Sequence, residues 1–508
     1  MKSIRHEVFW PAFILLFASL LTSILFPKEF LETVSALNTL LLQKLGSTFS
    51  VVVLIMVFVC VLIWVSPIGK IKIGGEEAIP LLNRWRWFAI TLCTTIATGI
   101  LFWGSAEPIY HFNSPPQSSG IEGGSEDAAV FAMSTLYLHW TLTPYAIYTV
   151  PTIAFALAFY NYNSGFSLAS MLFPFFSKKQ NLDLKPNAKL SSIVDVLCLF
   201  ALIAGMSASL GTGILTLAGG LNFSLGIEKN QFLLLSICII TVAAFVISAS
   251  SGLMKGIRIL SSINVYAFII IALFIFFFGP IQGILSISFK GFTAYVSGFF
   301  EKNLYNVIHP GDEWANSWTV FFWANWMAWA PISAMFLGRI SRGYRVRELI
   351  LFNWIIPALF SMIWMSIFSG TALSFQLDKT ADLSAVLNKE GYESVIYAIM
   401  NSYPLKAFLS LFFIFIVFLS YVTAADSNTE AMSAMSTKNI SADSASAPMF
   451  LKIIWGVIIG ATSYIMISAA GIEGIKMLSN LGGFPALLLL TAVMIGMMKL
   501  SILSFFRK

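Results

Sequence analysis

Long uninterrupted apolar runs are the feature of this sequence that most restricts its fold. The chain has 508 residues, of which 58% are hydrophobic and only 11% are charged. A helix needs about 20 mainly apolar residues to cross the hydrocarbon core of a bilayer. The sequence therefore predicts an all-α polytopic membrane protein with twelve transmembrane helices. The predicted spans are residues 8–26, 48–66, 86–107, 129–159, 190–220, 231–250, 257–281, 314–338, 346–375, 405–437, 447–470 and 478–499.

The distribution of basic residues predicts the orientation of these spans. If the N-terminus is cytoplasmic, 21 of the 30 Lys and Arg residues fall on the cytoplasmic side. The other nine are Lys28, Lys44, Lys229, Lys290, Lys302, Lys379, Lys389, Lys406 and Lys476. Basic residues are enriched in cytoplasmic loops, so we expect a multi-pass protein of the cell inner (plasma) membrane with both termini cytoplasmic. The net charge of +6 then reflects topology, and no nucleic-acid partner is needed to explain it.

Several functional classes are disfavoured by what the sequence lacks. Its four cysteines lie within apolar spans without metal-like spacing and are interpreted as small buried hydrophobic residues. Its four histidines are scattered, so we expect neither a metal site nor a cofactor. A phosphate-binding GxxxxGK[ST] loop and a nucleophile–base pair within the spans are also absent, which argues against ATP-driven transport and against an enzyme.

Two segments between spans have their own patterns. Residues 108–128 are rich in proline, glycine and acidic residues and are interpreted as a solvated linker or a lid. Residues 287–300 carry aromatic and aliphatic side chains at intervals of three and four, which predicts an amphipathic helix along the outer interface.

Three tryptophans, Trp323, Trp326 and Trp329, lie in one predicted span. At about 100° per residue, Phe322, Trp326 and Trp329 share a helix face. Tryptophans of membrane helices usually lie at headgroup depth, whereas these occupy the middle of their span. Indole faces attract quaternary ammonium groups, with about 2 kcal/mol per contact in a desolvated cage. This face is therefore a candidate site for an organic cation.

A second aromatic face lies on another span, where Tyr137, Trp140 and Tyr148 fall together and Tyr145 lies beside them. Two such faces on separate helices can form a box, although ordinary aromatic packing would also explain either one. Each cluster contains a proline, and ligand sites of transporters favour interrupted helices near the membrane midplane. The sequence therefore predicts a ligand site between these two spans.

The predicted third span carries Thr95 and Thr98 among small residues, which permits local unwinding or close helix approach. The two threonines are candidates for contacting a ligand carboxylate or hydroxyl. Glu107, at the outer end of this span and before a proline, is expected to be solvated or to pair with a loop, and the alternative is a place in the substrate path.

Other polar residues in the spans have two interpretations. Thr423, Asp426 and Ser427 could offer hard oxygen ligands to Na⁺, or the hydroxyls could bond to their own helix carbonyls. Arg258 could be a cytoplasmic anchor or a fixed cation that points into the helix bundle and replaces a mobile one. Asp195, at the start of its helix, is interpreted as structural.

These segments resemble the betaine/choline/carnitine transporter family. The similarity is carried by Trp323-Ala-Asn-Trp-Met-Ala-Trp-Ala-Pro331 with the basic loop after it, and by shorter motifs. Those motifs lie at residues 102–108, 139–148, 194–197, 209–211, 255–261 and 422–427. The resemblance covers nearly all predicted spans and implies a five-plus-five inverted-repeat (LeuT-like) core after two extra N-terminal helices, in a homotrimer. The implied segments are 1–85 (two N-terminal helices), 86–281 (first repeat), 282–313 (interfacial helix and loop), 314–499 (second repeat) and 500–508 (short cytoplasmic tail).

The resemblance also implies which residues form the family's aromatic box. By position these are Trp140, Tyr145, Tyr148, Trp326 and Trp329, with Trp323 in the same motif. The chain departs from the family at Asn325 and Tyr145, where tryptophan is usual or common, and at Thr423-Ala424, where sodium-coupled members tend to have Thr-Ser.

The implied function is secondary active transport of a betaine, choline or carnitine type of solute by alternating access. Coupling to Na⁺ or H⁺ is left open, and Ala424 argues against Na⁺ because it removes a hydroxyl ligand. One alternative is a carrier for a sulfonium, taurine-like or cyclic osmolyte admitted by Asn325. Another is an onium receptor that does not transport.

Overall fold

The computed structural model describes residues 4–96, 98–176, 187–250, 256–438 and 447–506. Within these ranges the chain is almost entirely α-helical, and β-structure is limited to isolated bridges between Ile4 and Thr437 and between Lys72 and Arg345. The α-helices are α1 (His6–Leu25), α2 (Pro27–Val65), α3 (Arg84–Ile96), α4 (Gly99–Asn113), α5 (Glu126–Trp140), α6 (Leu142–Tyr160), α7 (Phe173–Phe176), α8 (Ala188–Leu225), α9 (Gln231–Ser250), α10 (Gly256–Phe278), α11 (Ile281–Ser297), α12 (Phe299–Asn303), α13 (Tyr305–Ile308), α14 (Glu313–Ala315), α15 (Phe321–Ile340), α16 (Val346–Ile350), α17 (Ile356–Leu377), α18 (Leu383–Glu390), α19 (Val395–Asn401), α20 (Lys406–Met435) and α21 (Met449–Phe505).

The long helices confirm a multi-pass membrane protein. In the described residues, ten helices are long and apolar enough to cross a bilayer, or eleven if the bent pair α3 and α4 forms one span. Helix α21 has 57 residues and contains a non-helical residue, Gly471. Unbroken, it would be about 86 Å long, far more than the roughly 30 Å hydrocarbon core. A break at Gly471 agrees with the two spans expected in this region, while the total of twelve spans stays a prediction.

Helix α2 corrects one predicted boundary. It begins at Pro27, directly after α1, and runs for 39 residues, whereas the sequence analysis began the second span at residue 48. Charged residues lower the hydropathy of residues 27–47, but apolar residues at helical spacing and a high content of helix-forming residues still favour an α-helix there.

The two patterned segments between spans are partly helical. Helix α4 continues to Asn113 with Pro108 inside it, so the first part of residues 108–128 is not a loop. Residues 287–300 lie on α11 and α12, which meet at Gly298. Their helical structure is confirmed, and their position at the outer interface stays a prediction.

Two helix breaks face the centre of the bundle. Helices α3 and α4 are bent by 53° relative to each other, where the sequence permits local unwinding or close helix approach. Helices α5 and α6 meet at Thr141, whose φ and ψ of −117° and −120° are not helical. Pro144 follows in the first turn of α6, where a missing N–H costs no intrahelical bond.

The N-terminal residues are attached to the bundle by Arg5. Its guanidinium contacts the buried carboxylate of Asp195 on α8 at 2.5 Å, and its backbone N–H donates to the carbonyl of Ser436 at 2.9 Å. Asp195 also accepts from the hydroxyl of Ser167 at 3.1 Å and the backbone N–H of Leu168 at 2.8 Å. These contacts support the structural role expected for Asp195.

All four cysteines are free and buried, as the sequence analysis expected. Some residues of the predicted spans and of the basic-residue count lie outside the described part of the chain. They are Ala97, Lys2, Lys178, Lys179, Lys185, Lys255, Arg507 and Lys508.

Candidate functional site

A cavity opens where the α3–α4 break meets α5, α6, α8, α15 and α21. Six of the predicted site residues line it, and they are Thr95, Trp140, Tyr148, Asn325, Trp326 and Trp329. Further lining side chains include Trp103, Phe321, Ser209, Thr212 and Ser479. The cavity therefore joins the two predicted aromatic faces and adds hydroxyl groups from α8 and α21.

Trp326 is the central ring of this site. Its ring centroid lies 5.6 Å from that of Trp140, 5.4 Å from Tyr145 and 5.5 Å from Tyr148, with interplanar angles of 71°, 62° and 78°. These are edge-to-face contacts, a favourable geometry for aromatic pairs. Rings that meet close to right angles form adjacent walls, which is the arrangement of a box.

The indole N–H of Trp326 is a free donor at the cavity. It is buried and has no hydrogen-bond partner among the described residues. A buried unpaired donor costs about 1–3 kcal/mol, and a ligand carboxylate or hydroxyl in the cavity would supply the missing acceptor. Trp326 can therefore offer both a ring face and an N–H.

Two predicted residues lie behind the cavity wall. Tyr145 packs against Trp326 and hydrogen-bonds through its hydroxyl to Ser361 at 2.8 Å. Trp323 is fully buried and meets His139 edge-on, with 5.9 Å between the ring centroids. Trp323 lies about 120° from Trp329 around the helix, which explains why only one of them faces the cavity.

The predicted threonines differ in their surroundings. Thr98 is tied to α8, with its hydroxyl 2.9 Å from the Ser209 carbonyl and 3.1 Å from the Thr212 hydroxyl. Thr95 lines the cavity, and its hydroxyl donates to the carbonyls of Thr91 at 3.0 Å and Leu92 at 3.1 Å. Thr98 therefore joins two helices, whereas Thr95 presents its side chain to the cavity.

Asn325 is partly buried at the cavity and linked to α21. Its side-chain carbonyl accepts a hydrogen bond from the hydroxyl of Ser479 at 3.0 Å. Ser479 was not predicted as a site residue. Its only sequence signal is a small hydroxyl residue inside an apolar span, which is common in helix packing.

Glu107 corrects an expectation, because it is fully buried rather than solvated. The indole N–H of Trp140 donates to its Oε2 at 2.9 Å. Its Oε1 lies 2.7 Å from Nδ1 of His139 and 3.3 Å from Nε2 of His111. The predicted span ends at residue 107, before Pro108, but α4 continues through that proline to Asn113, so Glu107 lies inside the helix.

The group formed by Glu107, His111 and His139 has ligand atoms within 4.8 Å of one another, close enough for a metal ion. However, the indole N–H of Trp314 donates to Nδ1 of His111 at 3.2 Å. An indole nitrogen is only a donor, so a neutral His111 carries its proton on Nε2, the atom that faces Glu107. That nitrogen then has no lone pair for a metal, and the arrangement suits a carboxylate that accepts N–H groups.

The model of the betaine/carnitine/choline transporter family matches residues 7–502. The chain belongs to this family. Among its relatives are an ectoine/hydroxyectoine transporter of Virgibacillus pantothenticus, 27% identical over 97% of this chain and 96% of the relative, and a glycine betaine transporter of Bacillus subtilis, 28% identical over 94% and 91%. An osmo-dependent choline transporter of Acinetobacter baylyi is 31% identical over 98% of this chain and 71% of the relative.

Membership confirms that the chain is a membrane transporter of small solutes and not an enzyme. The sequence predicts Thr423, Asp426 and Ser427 as candidate ligands of a coupling ion. The hydroxyl of Thr423 donates to the Leu419 carbonyl at 2.7 Å, and that of Ser427 donates to the Ala424 carbonyl at 2.9 Å.

The three ion-site candidates do not converge on one point. Ser427 faces Thr94 of α3, with 3.2 Å between the two hydroxyl oxygens. Asp426 faces α9 instead, where its carboxylate accepts a hydrogen bond from Ser248. Adjacent residues of a helix are turned by about 100°, which explains why Asp426 and Ser427 reach different neighbours.

Arg258 lies near the start of α10, against the segment that precedes α3. Its Nη2 is 3.5 Å from the carbonyl of Leu81, and the side chain is partly exposed. It is absent from the described lining of the cavity. This placement favours the anchor interpretation over a fixed cation at the site.

Proposed function

We propose that this transporter carries a betaine, choline or carnitine type of solute by secondary active transport. The observation that supports this most is that Trp140 of α5, Tyr148 of α6, and Trp326 and Trp329 of α15 line one cavity. Aromatic faces around a desolvated cavity bind quaternary ammonium groups by cation–π attraction. In this proposal the four rings hold the trimethylammonium group, and Tyr145 and Trp323 support them from behind.

Polar groups at the same cavity are suited to the other end of such a solute. The unpaired N–H of Trp326 is a donor beside the aromatic walls, and the hydroxyl of Ser479, which donates to Asn325, offers an acceptor oxygen there. Thr95 adds a further hydroxyl at the lining. These groups would bind a carboxylate or hydroxyl and so orient the solute.

Transport would proceed by alternating access. Residues 86–281 and 314–499 would form the two inverted repeats, with residues 1–85, 282–313 and 500–508 outside them. The break between α3 and α4 beside the cavity is the kind of discontinuity within a span at which such transporters bind their solutes. The proposal includes a homotrimer in the plasma membrane, with both termini cytoplasmic as the basic residues indicate.

Counterflow in proteoliposomes tests the transport assignment. Vesicles loaded with unlabelled glycine betaine or choline are diluted into a trace of the same labelled solute. A carrier should accumulate the label transiently, because each outward passage is followed by an inward one. Saturable binding of either solute without counterflow would support a non-transporting receptor and contradict the proposal.

A second candidate is a carrier for an osmolyte without a trimethylammonium group. Asn325 lines the cavity and puts an amide where the family usually has an indole, and one relative is named as an ectoine/hydroxyectoine transporter. An amide offers two donors and an acceptor, which suits a cyclic or otherwise more polar solute.

Asn325→Trp distinguishes the two candidates. If the solute is a trimethylammonium compound, the added indole should tighten glycine betaine or carnitine binding, as measured by calorimetry. Ser479→Ala is the matched control, because it removes the same interhelical hydrogen bond without adding a ring. Loss of native uptake in Asn325→Trp, with betaine binding absent, would favour the second candidate.

A further inference from the structure

The carboxylate of Glu107 lies directly behind one wall of the proposed box. Trp140 lines the cavity with its ring, and its N–H donates to Oε2 of Glu107 at 2.9 Å. The far edge of the same indole lies on Gly99, where an added Cβ would be 2.8 Å from Cη2 of the ring. The indole is therefore held at both ends, by a carboxylate at the nitrogen and by a bare backbone at the benzene edge.

The surroundings of this carboxylate are donors. Trp140 and His111 present N–H groups to it, and His139 lies at 2.7 Å with Thr319 on its other nitrogen at 3.0 Å. An ionised carboxylate only accepts hydrogen bonds, so this set of neighbours suits the charged form.

Lys476 lies nearby but does not neutralise Glu107 by direct contact. Among the described residues, no Lys or Arg forms an ion pair with Glu107. The ammonium of Lys476 lies 4.3 Å from the ring centroid of Trp318 and 3.5 Å from the carboxylate of Glu473. The charge of Glu107 is therefore screened by neutral donors alone in its first layer of contacts.

We infer that Glu107 is a positioning residue that fixes the Trp140 wall and makes the cavity prefer a cation to a neutral solute of the same shape. This rests on the proposed function. A hydrogen bond to a charged acceptor polarises its donor, so Glu107 makes the indole face more negative. Its own charge also acts on a bound cation through a low-dielectric interior.

The test compares choline with 3,3-dimethylbutan-1-ol, in which a carbon replaces the nitrogen and the shape is retained. Both affinities are measured on the purified full-length protein by competition. Glu107→Gln should lower the ratio of choline affinity to alcohol affinity by about tenfold, as expected for losing a charged hydrogen-bond acceptor. Glu107→Asp keeps the charge and should retain most of the ratio. Because both ligands are measured on one preparation, any misfolded fraction cancels.

Asp195→Asn is the control, because it neutralises another fully buried carboxylate that contacts Arg5 and not the cavity. Its ratio should equal that of the wild type. An equal loss of both ligands in Glu107→Gln, or an unchanged ratio, would overturn the inference while the proposed function stands. A wild-type protein that binds neither choline nor glycine betaine would contradict the proposed function, and the inference would fall with it.

Discussion

Trp326 combines two kinds of contact that a zwitterionic solute requires. Its ring meets three other aromatic rings edge-to-face, and its N–H is unpaired in the described structure. Removing the indole would therefore remove a cation-binding face and a donor together.

Trp326→Leu keeps apolar bulk but lacks both groups. We expect it to weaken glycine betaine or choline binding by about 1–2 kcal/mol or more, as measured by isothermal titration calorimetry. Trp455→Leu is the matched control, since Trp455 is also fully buried but packs against Phe9, with 5.4 Å between the ring centroids. Unchanged affinity in Trp326→Leu would show that the site is assigned wrongly.

Single residues differ in how well the sequence predicts their positions and contacts. Periodicity places Trp326 and Trp329 on one helix face and predicts the same for Trp140 and Tyr148, and all four line the cavity, although Trp140 and Tyr148 lie on either side of the break at Thr141. The burial of Glu107 is not predicted by the sequence, because a proline after a residue normally marks a helix end. Membrane helices nevertheless tolerate proline when neighbouring groups satisfy the backbone. The contact of Ser479 with Asn325 depends on how two distant helices pack, which local pattern does not encode.

Among the helices, α21 shows how a single residue divides an element. Gly471 has φ of 55° and ψ of −132°, a combination that side chains strongly disfavour. Nothing among the described residues lies within 4 Å of a Cβ placed there, so a substitution would meet conformational strain without a clash.

Gly471→Ala should therefore lower stability by about 1–3 kcal/mol, seen as a lower thermal unfolding temperature in detergent. Gly165→Ala is the control, because its Cβ also meets open space among the described residues while its φ is not positive. Equal unfolding temperatures for the two variants would contradict the assigned strain.

The ion pair between Arg5, directly before α1, and Asp195 of α8 gives a prediction about stability. Arg5→Ala leaves the fully buried carboxylate of Asp195 without its cation, which typically costs about 3–5 kcal/mol. Thermal unfolding of the detergent-solubilised protein measures the loss.

Glu7→Ala is the control. It removes the neighbouring ion pair between Arg5 and the exposed carboxylate of Glu7, whose atoms are 3.7 Å apart, and this pair should contribute less than about 1 kcal/mol. If Arg5→Ala unfolds at the same temperature as Glu7→Ala, the Asp195 contact does not stabilise the bundle.

Elements were predictable where hydropathy and helix propensity agree. Hydropathy and helix propensity disagree in the first half of α2, where Lys28, Glu29 and Glu32 lower the hydropathy without preventing a helix. A break near Thr95 and Thr98 is permitted by the small and hydroxylated residues there, but its angle depends on the helices packed around it.

For the whole transport cycle, the arrangement of hydroxyls near Ala424 indicates whether a sodium ion can bind there. A hard cation needs several oxygen ligands around one point. Here Thr423 and Ser427 donate to carbonyls of their own helix, and Asp426 faces α9. We therefore expect solute transport that does not require Na⁺.

Uptake into proteoliposomes in sodium buffer, compared with choline-free potassium buffer at equal pH and osmolality, measures this requirement. The rates should be similar, and Thr423→Val should leave them unchanged because, among the described residues, the Thr423 hydroxyl bonds to the Leu419 carbonyl of its own helix. Uptake that disappears without Na⁺ and returns with it would contradict the expectation and restore Thr423 and Ser427 as ion ligands.

The proposed inverted repeat and trimer come only from the family resemblance. Two repeats of opposite orientation would share packing positions rather than residues, so one sequence shows little internal similarity. The exposed apolar side chains of a membrane protein that contact another subunit are not distinguishable by composition from those that face lipid.

The burial of Cys60, Cys93, Cys198 and Cys238 has a practical consequence for following the cycle. Thiol reagents react with accessible thiolates, so the folded wild-type chain should take up little maleimide. A single Ser479→Cys substitution would then report, by labelling from one side of a sealed vesicle or the other, which face of the membrane the cavity is open to at that moment.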